Sequence, residues 1–363
     1  MHARQLPNEM SNINIELLRI VAMLSIVAHH YVVNSTVMRL FDPVHPTANS
    51  TFLLLWGMWG KTAINVFVLI TGYFMCRSKL TDRRYIKVLK VLFEIIFYSW
   101  VMWLVLSACG YMSLSWKGAF YRVICHWLLT GQDGGFVPAF MWMYLLVPAL
   151  NVYLQGATKR NLYATLGVLV GMFSLCGTFF NADVYHHVFW YTTLYLVGAT
   201  IRMHPLKWME RNKVCVPLLA TSVAVAWSSV IGLGLLANWL GRPTRHPYFF
   251  VADSHKLLAF TTAVLAFLAF NNWRLPQSKF VNTVASTTFG VLLIHAASDG
   301  MRKWLWQDFV NVPAAYPMSL PMLICYSVAV TVGVFAACSA LDCLRIRFVE
   351  RIVFGFFIPK HIK

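Results

Sequence analysis

Apolar residues run along this chain in blocks too long for the core of a soluble domain. About 20 predominantly apolar residues carry a helix across a bilayer. Ten stretches reach or approach that length: 15–34, 52–75, 88–109, 135–155, 161–180, 185–203, 214–236, 255–272, 284–301 and 320–344. Short polar or basic segments separate them. The stretch 112–130 is apolar on one face only and predicts an interfacial or re-entrant helix. The tail RIRFVERIVFGFFIP predicts another surface helix. The pattern therefore predicts an all-α, polytopic membrane protein of about ten transmembrane helices. It reads as one domain over 1–363, without repeats, low-complexity tracts or a soluble module.

Charge orients this arrangement. The chain is 59% hydrophobic and 12% charged, against about 25% charged in soluble domains. Its net charge of +17 would suggest nucleic acid on a soluble protein. Here the cations fall in alternate loops. With both termini cytoplasmic, inside segments hold 20 of the 30 Lys and Arg, outside segments hold 8, and Arg19 and Lys61 lie within spans. That bias follows the positive-inside tendency of membrane proteins and leaves no role for nucleic acid. The polar first 13 residues precede an apolar run too long for a signal-peptide core, so an uncleaved first span is expected. The eight cysteines form no C-x-x-C pair, sit mostly in apolar runs and give no metal-ligand spacing.

The first span, NIELLRIVAMLSIVAHHYVV, carries ionisable groups that lipid disfavours: Glu16, Arg19, His29 and His30. Arg19 and His30 are 11 residues apart. At about 100° and 1.5 Å per residue they share one helix face, roughly 16 Å apart along the axis. Glu16 stands one turn before Arg19, at a spacing that suits an ion pair. Met23 and Ile26 continue the stripe, and His29 points about 100° away. Arginine's planar fork suits phosphate or carboxylate. A low-dielectric interior favours neutral imidazole, the form that accepts a proton. A cation at the mouth and a base deep in the bilayer suit a long anionic donor with a reactive tip. The alternative is a juxtamembrane ion pair and a histidine packed between helices.

Five stretches in order resemble the acyltransferase-3 family of integral membrane acyltransferases. They are IELLRIVAMLSIVAHH with Arg19-x10-His30, WGKTAINVFVLITGYF (59–74), FVPAFMWMYLLVPALN (136–151) with Tyr144, Pro148 and Asn151, YLVGATIR (195–202) and ASTTFGVLLIH (285–295). The last is similar to members that modify surface polysaccharides. The resemblance implies transfer of an acyl group, usually acetyl, from cytoplasmic acetyl-CoA to a hydroxyl outside. It implies a catalytic role for His30 and a place for Arg19 on the donor path. The family's Arg-x-x-Arg pair has its nearest counterpart in Arg84-x-x-Lys87, with Arg83 adjacent.

Other residues carry two readings each. The basic loop from Arg77 to Lys90 marks topology and lipid headgroups, or clamps the nucleotide of CoA through Arg83, Arg84 and Lys87. Lys61 snorkels outward, or meets the acceptor at the outer mouth. His295 is a helix–helix contact, or lines the acceptor site or orients His30. His29 packs, orients its neighbour or meets the substrate, and Tyr144 is a further acceptor-facing candidate. Glu94 is expected to pair with Lys90 at i−4. The aromatic, polar loop 241–256 either contacts a glycan or simply connects spans, and His186 and His187 mark an outer interface.

The sequence thus predicts a bacterial inner-membrane O-acetyltransferase. Acetyl-CoA is the donor, no metal is needed, and an extracytoplasmic polysaccharide or its lipid-linked precursor is the acceptor. A transporter or flippase, a membrane acyltransferase using a late histidine such as His295, and a non-catalytic assembly partner are the alternatives.

Overall fold

A computed structural model describes residues 12–78, 82–124, 135–180 and 185–357, excluding the side chains of 82–85, 87, 121–124 and 356–357. The described residues form helices joined by turns and loops, with no strand among them. Helix α1 (Ile13–Val33) is capped by Asn12, whose side chain accepts from the Asn14 amide. The second span is two helices, α2 (Ala48–Gly57) and α3 (Gly60–Met75), interrupted at Met58 and Trp59. Helix α2 starts with a Thr47–Ser50 capping box. Then follow α4 (Asp82–Ala108), the short α5 (Trp116–Ile124), α6 (Phe136–Gly156) and α7 (Lys159–Phe179). The remainder is α8 (His187–Met203), α9 (Asn212–Leu240), α10 (Leu257–Asn271), α11 (Lys279–His295), α12 (Asp299–Ala315) and α13 (Leu320–Gly355).

Among the described residues, seven helices or helix pairs are long and apolar enough to cross a membrane. The ten expected stretches depart from this in identifiable places. Helix α10 has only 15 residues, about 22 Å at 1.5 Å per residue. The stretch 284–301 is not a single span, because α11 stops at His295 and α12 leaves at 94° after a break at 296–298. The tail is not a separate surface helix. It continues the last span through a π-helical segment at Arg345–Glu350. Helix α5 occupies the predicted one-face-apolar stretch as far as Ile124, and the rest of that stretch lies outside the described residues.

Helix α3 is the hub, packed on α1, α8 and α10. Small residues allow its closest contact. A side chain on Gly72 would run into the Tyr195 backbone, and one on Gly198 would run into the Leu69 backbone. With no Cβ in the way, α3 and α8 meet backbone to backbone, as membrane helices do where packing replaces hydrophobic drive. Asn151 of α6 finishes α3. Its amide donates to the carbonyls of Met75 (2.9 Å) and Ser78 (3.0 Å), and its oxygen accepts from the Tyr195 hydroxyl at 2.6 Å. The family-like Asn151 therefore closes a helix end whose carbonyls would otherwise lack partners.

Glu94 does not pair with Lys90. The π segment brings Arg345 and Glu350 together, and Arg345 reaches three carboxylates: Asp342 at 2.6 Å, Glu350 at 2.9 Å and Glu94 at 3.1 Å. Lys90 turns to Glu350 at 2.9 Å, and the Tyr98 hydroxyl donates to Asp342 at 2.7 Å. Asp342 lies directly against Gly290 of α11, where no side chain fits. The network ties α4, α11 and α13 through buried charge. Removing one partner of such a set leaves uncompensated ions, which is strongly destabilising. Arg345→Met is expected to lower stability by about 3–5 kcal/mol, seen as a fall in the melting temperature of the detergent-solubilised protein. An unshifted melt would show that the network contributes nothing.

Candidate functional site

Helix α1 sets the site's axis. Its N-terminal part carries the Glu16–Arg19 pair, Nη1 to Oε2 at 3.2 Å, in the one-turn arrangement expected from spacing. About three turns beyond Arg19, His30 faces the end of α11. There its Nδ1 lies 2.9 Å from Nε2 of His295, a residue 265 positions later in the chain. The rings sit 5.0 Å apart. His295 is fully buried. It sits on the last turn of α11 just before the 94° break.

The hydrogen bonds fix the protons. Nδ1 of His295 lies 2.6 Å from the carbonyl oxygen of Val291. A carbonyl can only accept, so that nitrogen carries hydrogen. With both imidazoles neutral, Nε2 of His295 offers its lone pair, and Nδ1–H of His30 donates to it. The proton-free nitrogen of His30 is then Nε2. His30 is thus an imidazole with its tautomer set by a partner, whose own tautomer is set by the backbone. This is the ordering by which a second group orients a catalytic histidine.

A π-helical segment at Lys303–Phe309 builds the wall behind the pair. Trp306 is fully buried and meets both His295 and Tyr31 edge-on, with centroids at 6.3 and 6.2 Å. Gln307 donates to the Asn34 carbonyl at 3.0 Å. Trp306 Nε1 and Asn34 Nδ2 are buried donors with no hydrogen-bond partner among the described residues. Leaving such a donor unpaired costs about 1–3 kcal/mol, and π bulges are frequent at functional sites. Neither Trp306 nor Asn34 stood out in the sequence. The nearest signal was the position of Asn34, one turn beyond His30.

His29 points elsewhere, as its 100° offset requires. Its Nδ1 donates to the Gly57 carbonyl at 2.5 Å, and its ring lies directly on Gly60, where a Cβ would collide. It plugs the break between α2 and α3. The next residue, Lys61, reaches Asp253 at 3.5 Å. Beside that pair, Asn65 donates to the Ser254 carbonyl (2.7 Å) and accepts from Trp190 (3.2 Å). Tyr185 contacts Ser254 (3.0 Å) and His187 (2.6 Å) through its hydroxyl, with the His255 ring 4.1 Å from its own. His187 and the 241–256 loop thus join Lys61 in one polar, aromatic cluster, reached from the histidines through His29 and Gly60. The sequence placed Lys61 within the second span, His187 at an outer interface and 253–255 in the 241–256 loop, with nothing to join them.

Tyr144 is buried in α6, its ring 5.9 Å from that of Phe140. Arg83, Arg84 and Lys87 fall in the first turns of α4, and their side chains lie outside the described ones. Among the described residues, no three His, Cys, Asp or Glu are placed to share a metal ion.

The tautomers are directly measurable. In protein labelled with ¹⁵N at histidine, His30 is expected to show a protonated Nδ1 and a bare Nε2 at neutral pH, with His295 protonated at Nδ1. A protonated Nε2 on His30 would contradict the assignment.

Comparison with curated proteins and with solved structures gives no match. A family model described as an acyltransferase domain matches residues 12–341, which takes in the Glu16–Arg19 pair, His30 and His295 together. A multi-pass helical chain matched over nearly its whole length belongs to the acyltransferase-3 family of membrane acyltransferases.

Proposed function

We propose that the protein transfers an acetyl group from cytoplasmic acetyl-CoA to a hydroxyl of an extracytoplasmic polysaccharide or lipid-linked glycan. It would work in a bacterial inner membrane with both termini inside. The observation that carries the chemistry is the His30–His295 hydrogen bond of 2.9 Å. Nε2 of His30 takes the proton of the acceptor hydroxyl as its oxygen attacks the thioester carbonyl. His295 accepts from Nδ1–H and stabilises the imidazolium that forms. The tetrahedral intermediate collapses with cleavage of the C–S bond, and the proton passes from His30 to the departing CoA thiolate. A positioned base of this kind contributes about 10²–10⁴-fold. The unpaired N–H groups of Asn34 and Trp306 are the donors on hand for the developing oxyanion.

Polarity along α1 supports the direction of transfer. Arg19 lies at the end predicted to be cytoplasmic, where the anionic donor would enter beside Arg83, Arg84 and Lys87. Lys61, Asp253 and the aromatic cluster around Tyr185 lie at the opposite end. Polar groups with flanking aromatic faces suit a sugar there, with His29 between the cluster and the base.

The test uses the protein in liposomes with acetyl-CoA labelled in the acetyl group and an envelope glycan fraction. His30→Ala is expected to slow transfer by about 10²–10⁴-fold, leaving a measurable residual rate, while still binding acetyl-CoA. His295→Leu is expected to lower kcat by about 10²–10⁴-fold, with KM for acetyl-CoA unchanged, because it deprives the base of its orienting partner without touching the donor. Native rates in His30→Ala would remove His30 as the base. Vectorial movement of a solute by the native chain, with no acetyl-CoA binding, would replace the transferase reading with a transporter.

A further inference from the structure

A second site opens where three helices end together. The last turn of α3 supplies Tyr73, the chain just beyond it supplies Arg77, the last turn of α8 supplies Arg202, and the end of α10 supplies Asn271 and Asn272. Together with Met209, Glu210 and neighbouring residues they enclose a cavity of about 260 Å³. We propose that this cavity binds a phosphate ester, and that its occupant is the phosphorylated nucleotide end of the acyl-CoA donor. The proposal rests on the acyl-CoA reading above and adds Arg77 and Arg202 as its anchoring residues.

The cavity is built for an anion. The lining residues include two arginines, Arg77 and Arg202, and one acid, Glu210, so the lining is net positive. Arg202 is held in place from two directions. Its Nη1 donates to the Tyr73 hydroxyl at 2.9 Å, and its guanidinium carbon lies 4.8 Å from the centre of the Tyr73 ring. That fixes the plane of the fork, so the remaining N–H groups need not be ordered when a phosphate arrives. Asn272 braces the opposite wall by donating to the Met209 carbonyl at 2.8 Å. The C-termini of three helices converge here, and their partial negative charge would repel an anion. Two arginines at this place reverse that sign.

Position links the cavity to the donor path. The α10 wall continues into Trp273 and Leu275, and both are tied to the first turn of α1. The Asn14 side chain donates to the Trp273 carbonyl and accepts from the Leu275 amide at 3.1 Å. Arg19 lies five residues further along the same helix, about 7.5 Å on. The cavity thus opens at the Arg19 end of α1. A volume of about 260 Å³ suits a phosphate with part of its nucleoside rather than a whole cofactor. The pantetheine arm would then run past Arg19 toward His30.

A headgroup phosphate of an anionic lipid has the same chemistry, so the experiment separates the two sources. The full chain is placed in nanodiscs of zwitterionic lipid. Calorimetry then measures its affinity for acetyl-CoA and for 3′-dephospho-acetyl-CoA. The native chain is expected to prefer acetyl-CoA. Arg202→Gln and, separately, Arg77→Gln are expected to weaken acetyl-CoA binding by about 10- to 100-fold, the range of a lost charge-assisted hydrogen bond. At least one should also erase the preference for the 3′-phosphate. Retained affinity and preference in both variants would overturn the inference alone, leaving the arginines as complements of helix ends. No acetyl-CoA binding by the native chain would overturn the acyl-CoA reading and this inference with it. Loss of acetyl-CoA binding on adding phosphatidylglycerol, with no 3′-phosphate preference in its absence, would assign the cavity to lipid and also overturn it.

Discussion

A charged or hydrogen-bonding side chain at bilayer depth is tolerated only where another group answers it, and the packing of this protein follows that requirement. Arg345 holds three carboxylates from two helices and a π segment. Asn151 closes the end of α3 while fixing α6 to α8. His295 answers the Val291 carbonyl on one side and His30 on the other. In each set at least one partner lies on a different element, so satisfying the polar groups is the same act as docking the helices. Glycine appears where that docking is tightest, at Gly60 under His29 and at Gly290 against Asp342.

The histidine pair gains its chemical meaning from this constraint. One imidazole alone in the bundle would have two accessible tautomers and no partner to choose between them. The backbone carbonyl at Val291 makes that choice, and it propagates through His295 to His30. The break after His295 lets α12 turn away at 94° and bring Trp306 against the His295 ring. Without that turn, a continuous helix through 284–301 would carry Trp306 away from the pair. The discontinuity therefore belongs to the site as much as the histidines do.

Much of α1 was legible in the sequence because its information is local. The spacing of Glu16, Arg19 and His30 needs only the helical period, and the ion pair forms where that period places it. The positions of the apolar blocks were also readable. What joins the blocks was not. His30 and His295 are separated by 265 positions, and only the family resemblance, not a pattern in either segment, offered His295 as a group that could orient His30. Lys90 four residues before Glu94 is a standard helical pair, yet Arg345 outcompetes it, since the burial of several charges together is decided by tertiary packing. The break after His295 falls at Ala296–Ala297–Ser298, with no proline to announce it. The π segments at 303–309 and 345–350 carry no sequence signature either. Lys61 was noticed alone, but its partner Asp253 and the aromatic cluster around it come from loops that only the fold assembles.

The central claim is that His30 and His295 act as one unit. A double-mutant cycle on acetyl transfer in liposomes tests it most directly, comparing the native chain, His30→Ala, His295→Leu and the combined variant. Groups that work as a unit are strongly non-additive. The account predicts that adding His295→Leu to His30→Ala costs no further rate, although His295→Leu alone is severely slowed. A His295→Leu variant at native rate, or losses that multiply in the combined variant, would contradict it.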